Sequence, residues 1–382
     1  MKVALVHDWL TGMRGGEKCL AVLCRRFPDA QLFTLLHCRG RTAPSIERMQ
    51  ITTSFLQRVP GIARHYRYWL PLMPRAIESL RIPADVDLVV SFSHAVAKSI
   101  QPPPGVPHVC YCFTPMRYAW QLRRDYFSAK GRRFSRGPLA AVREALLDRI
   151  RRWDRATSGR ATHYVAISQT IADRIAACYD RPSTVIYPPV DTDFYTPAAI
   201  EREDFYLCVS ALAPYKKIDL AIEACRRLGR RLVVIGAGPE YRRLARSAGS
   251  GVELLGWRSD AEIRDCLRRC RALLFPGQED FGIVPVEAQA CGAPVVAYRQ
   301  GGACETVLDA GQRNVGSGIF FDEQTPEALA AAMRWLEARP ERFSTAVARQ
   351  QSLKFNADRY ERELVGYLEQ VVGAGRALRR AG

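Results

Sequence analysis

Acidic residues are scarce in this chain: 39 Asp and Glu stand against 56 Lys and Arg, a formal net charge of +17. Such an excess points to an anionic partner, whether nucleic acid, a phosphorylated small molecule or an acidic membrane surface. No run of about 18 uncharged apolar residues occurs, so no helix is expected to cross a bilayer. The start, Met1 to Val6, enters a strand pattern and reaches His7 and Asp8 too early for a secretory signal, which predicts a cytoplasmic location. The twelve cysteines include no Cys-x-x-Cys pair; Cys110 and Cys112 alternate along an apolar strand, and Cys266 and Cys270 lie four apart on a helical stretch. Reduced structural thiols are expected rather than disulfides or a sulfur-held metal. Also missing is a Gly-x-Gly-x-x-Gly turn followed by an acidic residue, which argues against a dinucleotide-dependent oxidoreductase. No Asp-x-Asp pair stands at a ligand-facing turn, since Asp191-Thr192-Asp193 falls in a linker, so neither metal nor another cofactor is expected.

What is present is a repeated α/β rhythm. At 382 residues the chain suits two domains. Strand-like runs at Val3–Val6, Gln31–Leu35, Val86–Phe92, Val109–Phe113 and Tyr164–Ile167 alternate with helical segments. The second half repeats the pattern at Tyr206–Val209, Leu232–Ile235, Val252–Leu255, Ala272–Phe275, Val295–Ala297 and Ile319–Phe321. This predicts two doubly wound, Rossmann-like domains facing across a cleft, with ligands beyond the carboxyl ends of the strands. The prolines of "VIYPPVDTDFYTP" (residues 185 to 197) put the boundary there, giving domains 1–190 and 191–355. An amphipathic segment, 356–382, carries Tyr360, Leu364, Tyr367 and Leu368 on one helical face and could pack on either domain.

"FPGQEDFGIVPVEAQACGAPVV" places Glu279 in the loop after a buried strand and Glu287 inside the following helix. Between them, amides near Gly282, Ile283 and Val284 stand at a helix amino terminus, where a diphosphate is favoured. Carboxylates flanking such a site suit hydroxyl groups, and a ligand with hydroxyls at both ends and phosphate between is a nucleotide sugar. The plainer reading, a helix-dipole carboxylate and a solvated loop glutamate, is equally open from spacing alone.

The stretch "EDFGIVPVEAQACGAPVVAYRQGG" resembles the Glu-x7-Glu signature of retaining glycosyltransferases of family GT4, which have the GT-B fold. "VVSFSHAVAKSI" and "YCFTPMRYAW" in the first half resemble the bacterial surface-polysaccharide branch of that family. The resemblance implies an amino-terminal acceptor domain and a carboxy-terminal nucleotide-sugar domain. It implies that Glu279 contacts donor-sugar hydroxyls, that Glu287 holds the ribose, and that the Phe281-Gly282-Ile283-Val284 backbone meets sugar and phosphate. Lys216, with Lys217 beside it, would stabilise the leaving diphosphate. The family's Arg-x4-Lys is here Ala211-x4-Lys216, so the lysines carry more of that task. Gly15 and Gly16, after the first strand, match a loop that closes over the donor, and Gly256 in "LLGW" matches the position that lines the base pocket; "VVIGAGPE" offers another strand-to-glycine turn for the donor, with Gly236 and Gly238.

Retaining transfer in this family is thought to need no strong protein nucleophile, because the leaving phosphate can take the acceptor's proton. The branch's His-Thr-Pro-x-Arg pattern reads Phe113-Thr114-Pro115-Met116-Arg117 here, so its histidine is absent. His94, at another strand end, is the substitute candidate beside Glu279 and Lys216, and Arg117 the candidate for an anionic acceptor. Thirteen Lys and Arg against four acidic residues between Arg117 and Arg160, together with "RHYRYWLPLMPR" at 64 to 75, suggest a face for an anionic membrane surface. The expected activity is transfer of a hexose, mannose from GDP-mannose in the first instance or a sugar from a UDP donor, to a polyprenyl-diphosphate-linked or other saccharide acceptor. The enzyme would be peripheral on the inner face of the plasma membrane. Nucleic-acid binding is the alternative of another class, but the chain offers neither stacking platforms nor a recognition helix.

Overall fold

In a computed structural model that describes residues 1–120 and 138–381, two parallel sheets account for the alternating rhythm. The first contains β1 (Val3–His7), β2 (Gln31–Thr34), β3 (Gln50–Thr53), β4 (Leu88–Ser93), β5 (His108–Cys112), β6 (His163–Ala166) and β7 (Thr184–Val185), in the order β3-β2-β1-β4-β5-β6-β7. The second contains β8 (Phe205–Val209), β9 (Arg231–Ile235), β10 (Val252–Gly256), β11 (Ala272–Phe275), β12 (Val295–Tyr298) and β13 (Gly318–Phe321), ordered β10-β9-β8-β11-β12-β13. Helices cover both faces of a parallel sheet, so inner strands read as unbroken apolar runs. β1 and β5, buried at every position, are of this kind. β3 is an edge strand of sequence QITT and β7 only two residues long, so neither offers such a run.

The two sheets share one topological feature. Each begins at an inner strand, β1 or β8, builds outward on one side, and then crosses to β4 or β11 on the other. Loops leaving the carboxyl ends of β1 and β4, and of β8 and β11, therefore diverge in opposite directions and open a crevice between them.

The chain divides into two compact units, Met1–Pro188 with Tyr360–Gly382, and Pro189–Arg359. The last helix, Ala357–Ala381, fills nearly the whole of the expected amphipathic segment. It brings Tyr360 edge-on to Tyr111 of β5 at 5.5 Å and buries Leu364 and Leu368 completely. Ten of the twelve cysteines are buried free thiols and act as small hydrophobes in the cores.

The basic aromatic segment is not one helix. It runs through a turn at Ile62–His65, a 3-10 stretch at Tyr66–Leu72 containing Pro71, and a helix at Met73–Ser79. Tyr66, Leu70 and Met73 point into the core, which leaves Tyr68 outward with Arg64, Arg67 and Arg75. Much of the arginine-rich stretch between Arg117 and Arg160 lies outside the described residues.

Candidate functional site

Gly15, Gly16 and His94 lie at the crevice of the first unit and Lys216, Lys217 and Glu279 at that of the second, whereas Arg117 follows β5, Gly236 follows β9 and Gly256 ends β10. In the second unit, β8 ends near Ser210 and its loop leads through the turn Pro214–Lys216 to the helix Ile218–Leu228. β11 ends at Phe275, and its loop carries Glu279 to the helix Ile283–Ala290. The two loops meet: Lys216 Nζ forms an ion pair with Glu279 Oε1, with the two side chains 12% and 23% exposed. The lysine ammonium also lies 5.2 Å from the Tyr215 ring centre. Lys217 takes a left-handed backbone, φ 54°, at the start of its helix. That conformation is costly for a side chain with a Cβ, and such strain tends to survive where function uses it.

The Glu279 loop is fixed by close approach of backbone. A Cβ on Gly277 would sit 3.0 Å from Lys216 Cα, and one on Gly302 would sit 2.3 Å from Phe281 Cα. Gly302 also donates its N–H to the Glu279 carbonyl at 2.9 Å. Gly282 caps the following helix at φ 85° with no side-chain cap, which leaves the Ile283 and Val284 amides at the helix start without a side-chain acceptor from the cap. Pro285 has no N–H to offer. Phe281 turns its ring inward onto Phe355, 5.7 Å away, so only its backbone faces the loop side. Glu287, 6% exposed and in the second turn of the helix, is no solvated carboxylate; its charge is felt by the buried Tyr195 hydroxyl. Gly236, at φ 142°, has no room for a Cβ because the Ser210 carbonyl oxygen would lie 1.8 Å away, and its N–H reaches the Gly256 carbonyl at 2.8 Å. Trp257, next to Gly256, is 76% exposed, an unusual position for so large an apolar ring.

In the first unit, β1 delivers His7 and Asp8, and β4 delivers His94. Asp8 is fully buried and accepts four backbone N–H groups from the loop after β4: His94 and Ala95 on Oδ2 at 2.7 and 2.9 Å, Val96 and Ala97 on Oδ1 at 2.7 Å each. His94 Nδ1 adds a fifth contact at 3.1 Å. Burial pushes the Asp8 carboxyl above its ordinary range, but five donors around it leave no place for a carboxyl proton, so the ionised form fits the geometry. His94 thus donates from Nδ1 and keeps Nε2 as its lone-pair nitrogen. Burial, then the charges of Arg117, Arg14 and Arg67, hold the His94 imidazole down to about 3. Its side chain is still 28% exposed, and the open edge moderates that depression.

Trp9 meets His94 edge-on at 4.5 Å, and Phe113 stands 6.2 Å from it. The Phe113 ring fills the space over Gly16, 3.1 Å from where a Cβ would be. His7 is buried, its Nδ1 bonds the Trp9 carbonyl at 3.0 Å, and its Nε2 has no hydrogen-bond partner. Gly15 and Gly16 open the helix Gly15–Arg26, whose start is already partly capped from within: Glu17 accepts the Arg14 N–H at 3.1 Å, and burial pushes its carboxyl up to about 7. Arg117 begins the short helix Arg117–Trp120.

The sequence reading missed Asp8, Arg14 and the Gly302 brace, and placed Arg67 only on a membrane-facing stretch. Asp8 stands beside His7 in a quoted motif, but its task is set by amides 86 to 89 positions away, which no local spacing reveals. Among the described residues no three His, Cys, Asp or Glu side chains gather as a metal site. A cavity of about 300 Å³ lined by Arg202, Arg271, Glu337 and Phe343 lies near the amino-terminal ends of β11 and β12 and holds none of the predicted residues.

Residues 13–194 match the family model described as Glycosyltransferase Family 4, and residues 191–351 the one described as Glycosyl transferases group 1. An uncharacterized glycosyltransferase of Methanocaldococcus jannaschii is 37% identical over 131 residues, 33% of this chain and 36% of that protein. The GDP-mannose-dependent alpha-(1-6)-phosphatidylinositol monomannoside mannosyltransferase of Mycolicibacterium smegmatis is 33% identical over 210 residues, 46% of this chain and 53% of that protein. The matches thus span about a third to a half of these curated relatives. The Anabaena protein Alr3699/HepE, solved in complex with UDP, superimposes with a TM-score of 0.70 at 18% identity, covering 97% of this chain and 100% of that one. Similarity at that level establishes a shared fold.

Proposed function

The chain belongs to glycosyltransferase family 4 with the GT-B fold, and from that premise we propose that it transfers a hexose from a nucleoside diphosphate sugar to a lipid-linked or oligosaccharide acceptor, with retention of configuration. The observation that carries this reading is the meeting of Lys216 and Glu279 beside the Gly282-capped helix start. The lysine and the helix amides offer positive charge where a diphosphate leaves, and the carboxylate accepts from sugar hydroxyls. In the free protein the two side chains neutralise each other, which holds both in place without a ligand. Glu287 holds the ribose, and Gly236 and Gly256 leave the backbone open toward the nucleotide.

On the acceptor side, His94 is oriented by Asp8 and stays neutral, so its Nε2 accepts a hydrogen bond from a hydroxyl over the whole physiological range. Proton removal then falls to the departing phosphate, and His94 positions. GDP-mannose is the first donor to test because the mycolicibacterial relative is described as dependent on it. A UDP-sugar is the second, favoured by the UDP in the Anabaena structure. The protein would work on the inner face of the plasma membrane without metal. Thermal-shift screening with GDP-, UDP-, ADP- and dTDP-sugars, followed by radiolabel transfer to membrane lipid extracts, tests the reading. Stabilisation by none of the four, with no labelled product, contradicts it.

A further inference from the structure

Two stretches singled out in the sequence, "VVSFSHAVAKSI" and "YCFTPMRYAW", are tied to the same buried carboxylate, Asp154. Lys98, from the first, is buried in the short turn Ala97–Ser99. Its Nζ pairs with Asp154 Oδ1 at 2.9 Å, donates to the Asp154 carbonyl at 2.9 Å and to Ser99 Oγ at 3.1 Å, and lies 4.8 Å from the Tyr179 ring centre. Trp120, from the second, donates its Nε1–H to Asp154 Oδ2 at 2.8 Å, and the Tyr179 hydroxyl donates to the same oxygen at 2.8 Å. Asp154 itself belongs to the helix Pro138–Ala156. Ser99 closes that end of the loop, with Oγ 2.7 Å from Thr157 Oγ1 and its carbonyl accepting from Arg160 at 2.6 Å. The segment that carries His94 is therefore held at both ends by buried carboxylates: Asp8 takes the amides of residues 94 to 97, and Asp154 the side chain of residue 98.

A buried ion pair is a poor source of stability, because desolvation of both charges offsets their attraction, and apolar replacements of similar volume are often neutral or stabilising. What directed bonds supply instead is one geometry for the backbone that carries them. We propose that Lys98, Asp154 and Trp120 are positioning residues, which hold the His94 loop and the Phe113–Arg117 turn in one register and so fix the direction of His94 Nε2. Lys98 and Asp154 are closed to any ligand, and their effect on the reaction runs through His94. The effect on transfer rests on the transferase reading; the effect on His94 belongs to the free protein.

The test is Lys98→Met combined with Asp154→Asn in the full chain, which removes both charges together and leaves an acceptor for Trp120 and Tyr179. Four measurements are needed: denaturant melts, nitrogen-15 spectra of the His94 imidazole assigned with His94→Gln, transfer from GDP-mannose to membrane lipid extracts, and GDP calorimetry. The expected result is cooperative unfolding close to that of the wild type and a His94 signal moved from the Nδ1–H form toward a mixture of tautomers. Transfer should fall by about tenfold to a hundredfold, the scale of a small misplacement at a reacting centre, with GDP affinity unchanged. Trp120→Phe removes one donor and spares the ion pair, so it should give a smaller shift of the same signal and a several-fold loss of transfer. It carries the test if the double variant does not fold. A folded variant whose His94 spectrum matches wild type overturns the proposal, as does a shifted spectrum with transfer unchanged, or a loss of transfer equalled by a loss of GDP affinity. Absence of transfer by the wild-type chain counts against the transferase reading and leaves the His94 spectrum to decide the positioning.

Discussion

The crevices of the two units occupy the same topological position but are built from different materials. In the second unit the chemistry sits on two adjoining loops, fixed by glycines that let backbone meet backbone. In the first unit a buried carboxylate, two histidines and an aromatic cluster do the fixing, drawn from segments far apart in the chain. All six histidines fall in the first unit and none in the second. Placement at the switch point of a parallel sheet thus sets where a ligand goes, while the surrounding residues decide whether charge or neutral hydrogen bonding meets it.

The largest effect that separates the two is expected for Glu279→Ala. Transfer should fall by about a thousandfold, the scale of losing a group that stabilises developing charge, while GDP binding by calorimetry changes little. Unchanged transfer would remove the glutamate from its assigned role. On the other side, Asp8→Ala strands four amide N–H groups in the interior, and a loss of several kcal/mol is expected in denaturant melts of the first unit. Asp8→Asn keeps an acceptor but releases the His94 tautomer, so it should lower transfer about tenfold or more and leave GDP affinity alone. An equal loss of GDP affinity would show that the first unit's polar cluster is not confined to the acceptor.

Acid should distinguish the units next. His7, His94 and His108 are held down to about 4, 3 and 4 by burial, from 6.5 when unfolded. Between those values the unfolded chain binds protons that the folded chain refuses, so stability rises with pH across that window and is lost as pH falls through it. Glu17 runs the other way: its carboxyl, raised from 4.5 to about 7, favours the folded state as pH falls, and it offsets about one of the three histidines. Hydrogen exchange at pH 7 and pH 5 should therefore show the first unit loosening while the second stays protected. Equal loosening of both would mean that the burial of these histidines is not what governs acid stability. The smallest effect is expected for Phe113→His, which replaces a ring over Gly16 with a smaller polar one; a stability cost of about 1 kcal/mol and a several-fold change in transfer would sharpen the contrast.

How legible these features are in sequence follows from their range. β8 to β13 and the loops around Glu279, Gly282 and Lys216 are each written in a few consecutive residues, as apolar runs ended by glycine or proline. β3 and β7 are not, because edge strands lack a second buried face and need no continuous apolar run. His94 is visible as a strand-end histidine, yet its neutrality comes from burial and then from Arg117, Arg14 and Arg67, and its tautomer from Asp8, an environment that only the fold assembles. The helix Ala357–Ala381 is readable by its apolar face, whereas its partner Tyr111 could not be found from that face alone.

The central claim is that a nucleoside diphosphate sugar lies at the β8 and β11 loops, with one glutamate at each end. A crystal structure of the full chain with intact GDP-mannose tests it most directly. The account predicts the Glu279 carboxylate within hydrogen-bond distance of a sugar hydroxyl, Glu287 on the ribose, and Lys216 moved from Glu279 to the diphosphate. A donor bound with both glutamates turned away and the Lys216–Glu279 pair intact would contradict it.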